Sequence, residues 1–225
     1  RRAPKFDWRH ANPLGSLLLL KRYPQVLALA MVFFLLALAQ FSINSTYVLY
    51  TDFRYGWGPQ TVGYTLALVG VLTGVVQALL VRRLMPKLGE RRMILAGLAF
   101  LVVGYFVFGF APEAWIFLSG IPFLCLGGLA GPPAQSLITH QVDPSEQGRL
   151  QGALSSLQSL AGIFGPALFA NLFALFISKH APTPHLPGVA YVLAAVLVLV
   201  ALVLTVRATR NLPAHVPPAA APEST

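Results

Sequence analysis

Gln40, Asn44 and Tyr47 stand four and three positions apart in a run that otherwise reads as hydrocarbon, from Gln25 to Tyr50. On a helix that spacing gathers them on one face. Amides and a phenol donate and accept hydrogen bonds without changing charge near neutral pH, so the chemistry they offer is recognition of a polar group. Two uses fit: lining an aqueous cavity, or bonding to a neighbouring helix, where each such bond is worth about 0.6 kcal/mol on average. Gln77 and Gln135 are further amides inside apolar runs. The same runs hold no paired carboxylates, no nucleophile beside a base and no His–Glu metal motif. Catalysis and metal binding within them are therefore not expected. The single cysteine, Cys125, excludes an internal disulfide framework and a multi-cysteine metal site. His180 and His185 sit in a proline-containing loop with no carboxylate neighbour and read as solvated.

The elements that must carry these residues are set by composition. Of 225 residues 56% are hydrophobic and 10% charged, with mean hydropathy +0.69, far from a water-soluble globular domain. Six apolar runs emerge, at about 25–50, 60–81, 93–111, 114–139, 151–177 and 188–206, and none contains Asp, Glu, Lys or Arg. Each approaches the ~20 residues that cross a hydrocarbon core. The runs are continuous rather than alternating, so helices are predicted and a β-barrel is not. The net charge of +9 lies between the runs: of sixteen Lys and Arg residues, all but Arg54 and Lys179 fall on one side of a six-crossing topology. That bias predicts cytoplasmic termini in a multi-pass inner-membrane protein and removes nucleic acid as a partner. Residues 1–24 read as a cytoplasmic segment, 25–208 as the transmembrane domain, and 209–225, rich in Pro and Ala, as a disordered cytoplasmic tail.

The runs differ in kind. The third and sixth are apolar all round, which suits a peripheral, lipid-facing position. The second carries Gly63, Gly70, Gly74 and Gln77 on roughly one face, where small residues let helix backbones approach. The fourth carries Gly127, Gly128, Gly131 and the pair Pro132–Pro133, which must break or kink its helix. The fifth carries Gly162, Gly165 and Pro166. Glycine-packed, kinked helices suit a protein that rocks between two shapes; a static bundle is the alternative.

Gln141-Val142-Asp143, Gln147-Gly148-Arg149-Leu150-Gln151-Gly152 and Gly162-Ile163-Phe164-Gly165-Pro166 together resemble the tenth-to-eleventh helix region of the tetracycline-resistance branch of the major facilitator superfamily. Leu88-Gly89-Glu90-Arg91-Arg92 resembles that branch's loop between helices eight and nine, and Gln77 and Asn12-Pro13-Leu14 also match. The resemblance covers about residues 12–170. It implies an all-α polytopic membrane protein whose six transmembrane helices are one half, helices seven to twelve, of a twelve-helix fold. The opening Arg1 and the basic stretch after it fit a cut in the central loop of such a protein.

By this resemblance the chain belongs to a secondary transporter of small organic molecules, an exporter of the drug:proton antiporter type working by alternating access. A non-transporting scaffold or sensor of the same fold is the other reading; an enzyme is not expected. The implied partners are a small-molecule substrate, membrane lipid and the amino-terminal six-helix half, with no cofactor and no catalytic or metal residues. Gln40, Asn44, Tyr47, Thr73, Gln77 and Gln135 are expected at the substrate cavity. Gly127, Gly131, Pro132, Gly162, Gly165 and Pro166 are expected to permit bending, and Arg91, Arg92, Asp143 and Arg149 to form a cytoplasmic latch. Tetracycline exporters carry a His in helix eight and an Asp in helix nine; the matching positions here are Thr73 and Leu101. Either the coupling carboxylate lies in the other half, or transport is not proton-coupled.

Overall fold

The computed structural model describes residues 24–178 and 186–210. The segment before residue 24, the loop histidines His180 and His185, and the tail from 211 onward lie outside the described residues. What is described is helix with short connections, and no strand occurs among these residues. In chain order they are α1 (Pro24–Tyr55), α2 (Pro59–Val75), a π-helical segment (Val76–Val81), α3 (Arg82–Phe110), α4 (Ala114–Leu126), a 3-10 segment (Gly127–Ala130), α5 (Gly131–Thr139), a short 3-10 turn (Pro144–Glu146), α6 (Gln147–Ile177) and α7 (Val189–Thr209). In lipid no water is available to the backbone, so runs of Leu, Val, Ala and Phe must close their own hydrogen bonds as helices. Pro59 opens α2 with its fixed φ, just after Gly56 turns the chain at φ 66°.

The six apolar runs appear as five continuous stretches long and apolar enough to cross a membrane. The second and third are joined, because the basic stretch between them is helical rather than a loop. The joined stretch, Pro59–Phe110, has 52 residues, about 78 Å of helix at 1.5 Å per residue, against a hydrocarbon core of ~30 Å. Gly89 divides it: at φ 73° and ψ 164° it leaves the helix geometry, in a region that only glycine adopts cheaply. The first helix also runs past Tyr50 to Tyr55, taking in Asp52 and Arg54.

α1 packs along α6 and α7, α7 along α3, and α3 along α4, the 3-10 segment and α5, while α2 leans on α4. α7 buries a stripe of Ala190, Ala194, Val198 and Ala201 and turns Val196, Leu199, Val200 and Val203 outward. The outward row fits the peripheral expectation on one side only, because the buried row packs on α1 and α3 and its Val198 reaches a cavity between the spans. At the end of the bundle away from the Arg82–Arg92 stretch an aromatic knot ties α1, α3, α4 and α7 together. Phe108 stacks on Phe117 with centroids 3.8 Å apart, and Tyr191 meets Tyr50 edge-on at 5.1 Å. The Tyr50 hydroxyl donates to the Phe108 carbonyl at 3.2 Å, and that of Tyr55 to the Ala111 carbonyl at 3.0 Å.

Hydroxyls along the spans turn back onto their own helices. Ser42 donates to Ala39 O at 2.7 Å, Thr51 to Tyr47 O at 2.9 Å, Thr205 to Ala201 O at 2.8 Å and Thr209 to Thr205 O at 2.7 Å. The glycines fall into two sets. A Cβ added at Gly97 would lie 2.6 Å from the Ala130 backbone nitrogen, and one at Gly165 would lie 2.7 Å from Phe41 Cβ. These are helix-crossing points. At Gly63, Gly70 and Gly74 on α2 and at Gly148 and Gly152 on α6, an added Cβ would meet nothing within 4 Å. The close approach that the α2 glycines suggested is therefore not made among the described residues.

Candidate functional site

α1, α2, α3 and the fourth span, with Val198 of α7, border an open-sided cavity of about 420 Å³. Its walls are mostly apolar, with Leu36, Val69, Leu101, Phe108 and Leu124 among them. Five polar side chains interrupt this: Gln40, Tyr47, Thr73, Gln77 and Tyr105. Among the described residues the lining contains no Asp, Glu, Lys, Arg or His. What such a space can do is hold a largely apolar molecule and hydrogen-bond to it without offering a charge.

Gln40 and Tyr47 face this space from α1. Seven residues at 100° each bring them within about 20° of one another, so they share one line down the helix. Tyr47 is 5% exposed, and its hydroxyl donates to Thr65 Oγ1 at 2.8 Å. Thr65 Oγ1 in turn donates to Val62 O at 2.8 Å. Tyr47 thus fixes α1 to α2 and offers the cavity chiefly its ring. Asn44 does not join them: it is exposed on α1 outside the cavity. Its helical phase sits about 40° from Gln40 on the side away from Tyr47, which a spacing of four and three conceals.

Thr73 and Gln77 line the cavity from α2 and the π segment. Thr73 Oγ1 donates to Cys125 Sγ at 3.6 Å, and Cys125 Sγ lies 3.8 Å from the Val69 carbonyl. Gln77 Nε2 donates to the carbonyl of Gly128 at 3.3 Å. The positions matched by resemblance to a His and an Asp, Thr73 and Leu101, both belong to this wall. Leu101 fills the notch left by Gly127, where an added Cβ would collide with its Cγ.

Gln135 lies elsewhere, in a separate recess of about 130 Å³ with Phe33, Gln151, Leu154, Ser155 and Gln158. The 3-10 segment before it explains the displacement. Each 3-10 residue advances about 120° instead of 100°, so four of them rotate everything beyond Ala130 by roughly 80°. The third span, read as peripheral, contributes Leu101, Tyr105 and Phe108 to the cavity. Tyr105 is buried and its hydroxyl donates to the Ala39 carbonyl at 3.1 Å. In the sequence Tyr105 is the one polar side chain of a span that reads as peripheral; the signal that places it inward is that a lone phenol must find an acceptor when buried.

Of the residues expected to permit bending, Gly127, Gly131 and Pro132 bracket the 3-10 break in the cavity wall, and Gly165 is a crossing point on Phe41. α6 continues unbroken through Pro166. A Cβ at Gly162 would lie 3.5 Å from Phe41 Cζ, an ordinary contact. The expected latch charges are not brought together. Arg91 and Arg92 are exposed on α3. Asp143 accepts from Ser145 N at 2.9 Å and from Ser145 Oγ at 2.6 Å, bonds that hold its carboxyl below the usual carboxylate range. Arg149 lies 3.5 Å from Glu146 on the next turn. Glu90 accepts from Ser136 Oγ at 2.6 Å, joining α3 to α5.

Comparison with known proteins agrees with this architecture. The chain is 31% identical over 194 residues to the class C tetracycline resistance protein of Escherichia coli, a match covering 86% of this chain and 48% of that protein. It is 35% identical over 147 residues to the class G tetracycline resistance protein of Vibrio anguillarum, covering 65% of this chain and 37% of the relative. The crystal structure of the human organic anion transporter MFSD10 superposes with a TM-score of 0.68 at 21% identity, over 80% of this chain and 40% of that one. The chain thus spans about half the length of the relatives it matches, or less. The family model of the Major Facilitator Superfamily matches residues 29–224, and with the helical bundle already described this places the chain in that superfamily.

Proposed function

We propose that the protein to which this chain belongs is a secondary active transporter of small organic molecules, an exporter of the drug:proton antiporter type that works by alternating access. The observation that carries the reading is the cavity between α1, α2, α3 and the fourth span: apolar, uncharged, and edged by Gln40, Thr73 and Gln77. Relatives named for tetracycline resistance support efflux as the direction. The cavity lining in this chain holds no carboxylate or imidazole. If a proton is exchanged, the absence of such a group among the described lining residues favours a titrating group outside this cavity wall, in the other half of the protein. That part is a second six-helix half, and the open glycines of α2 and α6 are the faces it meets.

The chain sits in the inner membrane with both termini cytoplasmic, as the distribution of Lys and Arg favours. Gly127, Gly131, Pro132, Gly162, Gly165 and Pro166 serve bending and close packing. Arg91, Arg92, Asp143 and Arg149 form a latch at the cytoplasmic end, whose cross-element pairs belong to another conformation than this one. Residues 1–24 and 209–225 are cytoplasmic connections.

The test is flux through the complete protein in inverted vesicles, followed by the fluorescence of tetracycline under an imposed proton gradient. Gradient-dependent accumulation is expected, and Gln40→Leu should reduce it at equal expression. Absence of accumulation for tetracycline and for a panel of neutral apolar dyes would sink the transporter reading. Unchanged flux in Gln135→Ala would remove that residue from the site.

A further inference from the structure

One turn beyond the cavity, toward the end of the bundle where Glu90 on α3 meets Ser136 on α5, lies the recess of about 130 Å³ that holds Gln135. Gln151, Ser155 and Gln158 enter it from α6, four and three positions apart and so on one face of that helix. With Gln135 they set three carboxamides and a hydroxyl against two apolar side chains, Phe33 and Leu154. None of these four polar side chains hydrogen-bonds to a described residue. The hydroxyls around them do. Ser156 Oγ donates to Gly152 O at 2.8 Å, Ser159 Oγ to Ser155 O at 2.9 Å and Thr139 Oγ1 to Gln135 O at 2.7 Å. The recess thus keeps its whole capacity, two donors and an acceptor on each carboxamide and both functions on the hydroxyl. Amides at this depth in a span are costly unless something polar reaches them.

Two spans lead from the recess to the cavity. On α1, Phe33 stands one turn from Leu36; on α5, Gln135 stands one turn from Gly131; and Leu36 and Gly131 line the cavity. A turn is about 5.4 Å, so a molecule about 10 Å long reaches both spaces. A helix of the other half does not occupy the recess by packing on the open glycines of α6. Gly148 and Gly152 lie about 70° around that helix from the mean direction of Gln151, Ser155 and Gln158, so a helix on the glycine line runs beside it. Among the described residues no charged side chain lines the recess, so an ion there would lack a counter-charge. Its volume equals about four waters at ~30 Å³ each, enough for a small polar head. We propose that Gln135, Gln151, Ser155 and Gln158 form a second subsite, which holds the uncharged, hydroxyl-bearing end of a solute whose apolar body lies in the cavity. The assignment rests on the reading of the cavity as the place where solute sits, and it makes that solute amphipathic rather than apolar throughout.

The probes are the glyceryl and propyl ethers of 2-naphthol, which share a skeleton and differ by two hydroxyls. Binding to the complete protein in nanodiscs is followed by naphthyl fluorescence with empty discs subtracted. Each probe is compared with itself across variants, so partition into lipid cancels. Gln135→Leu and Gln158→Leu, on different spans, should each weaken the glyceryl ether about fivefold, as loss of one ordinary hydrogen bond implies, and leave the propyl ether unchanged. Ser159→Ala, on the glycine line, should alter neither. Val69→Trp or Leu36→Trp, whichever folds, fills the cavity and should weaken both probes. Glyceryl ether binding that is unchanged in whichever glutamine variant folds, or that falls no further than propyl ether binding or than it does in Ser159→Ala, overturns the subsite; the recess is then filled by the other half. Loss of both probes on filling the cavity leaves the cavity reading standing in that case. Indifference of both probes to the filled cavity, or no binding of either to the unaltered protein, overturns both.

Discussion

Replacing Gly97 with alanine tests how tightly the cavity wall is held. Gly97 sits where α3 crosses the 3-10 segment, and an added methyl would lie 2.6 Å from Ala130 N, 2.8 Å from Ala130 Cβ and 3.1 Å from Ala130 Cα. Ordinary van der Waals contact begins near 3.4 Å, so the two elements must separate by close to an ångström. The obstacle is largely backbone, which no rotamer change can move aside. Overpacking of this kind costs about 1–3 kcal/mol. Alanine also removes the helix penalty of glycine, a gain of about 1 kcal/mol. Gly162→Ala supplies the control, because its methyl meets Phe41 Cζ at 3.5 Å without strain and gains the same propensity. Unfolding free energies measured by SDS titration in mixed micelles should therefore put Gly97→Ala about 1–3 kcal/mol below Gly162→Ala. Gly97→Ala as stable as Gly162→Ala, or more so, would refute the view that this crossing is closed by backbone contact.

Gly127→Ala should destabilise through its collision with Leu101, and Leu101→Ala in the same molecule should recover most of the loss, which a double-mutant cycle on the same assay measures. Tyr105→Phe removes the bond to Ala39 O and should cost about 1 kcal/mol of unfolding free energy. Asp143 has its carboxyl pKa lowered by the two bonds from Ser145. Its ionised form is thus favoured in the folded state, so its contribution is complete above the ordinary carboxylate range and lost as pH falls through the depressed value. Ser145→Ala should return that titration upward, as read by the NMR shift of the Asp143 carboxyl carbon.

Much of the fold was legible because lipid leaves the backbone few options. Runs free of Asp, Glu, Lys and Arg marked the spans, and Pro132–Pro133 marked the break in the fourth. Local helical continuation was not legible. Arg82 to Arg92 read as a connection, yet the chain stays helical there apart from Gly89, since charged residues are good helix formers once outside the hydrocarbon. For the cavity, Gln40 and Tyr47 follow from helical phase up to the point where that phase is intact, Gln77 from being an amide in an apolar run, and Thr73 from the resemblance alone. Gln135 does not, because the 3-10 segment rotates it away. Tyr105 and Leu101 were hidden for another reason: their side chains resemble the lipid-facing residues around them, and only the position of α3 against α1 and α4 reveals which way they point.

The back-bonded hydroxyls of α1 and α7 have a consequence for how such a chain enters a bilayer. Ser42, Thr51, Thr205 and Thr209 carry their acceptors on their own helices, so these hydroxyls are satisfied before any other span arrives, whereas Tyr47 and Tyr50 of α1 wait for Thr65 and Phe108 on other spans. Gln77 and Tyr105 wait as well, because their acceptors belong to Gly128 and Ala39 on other spans. Biogenesis therefore acquires an order: α7 can partition into lipid alone, whereas the spans around the cavity must be retained beside one another until their amide and phenol find each other's backbones.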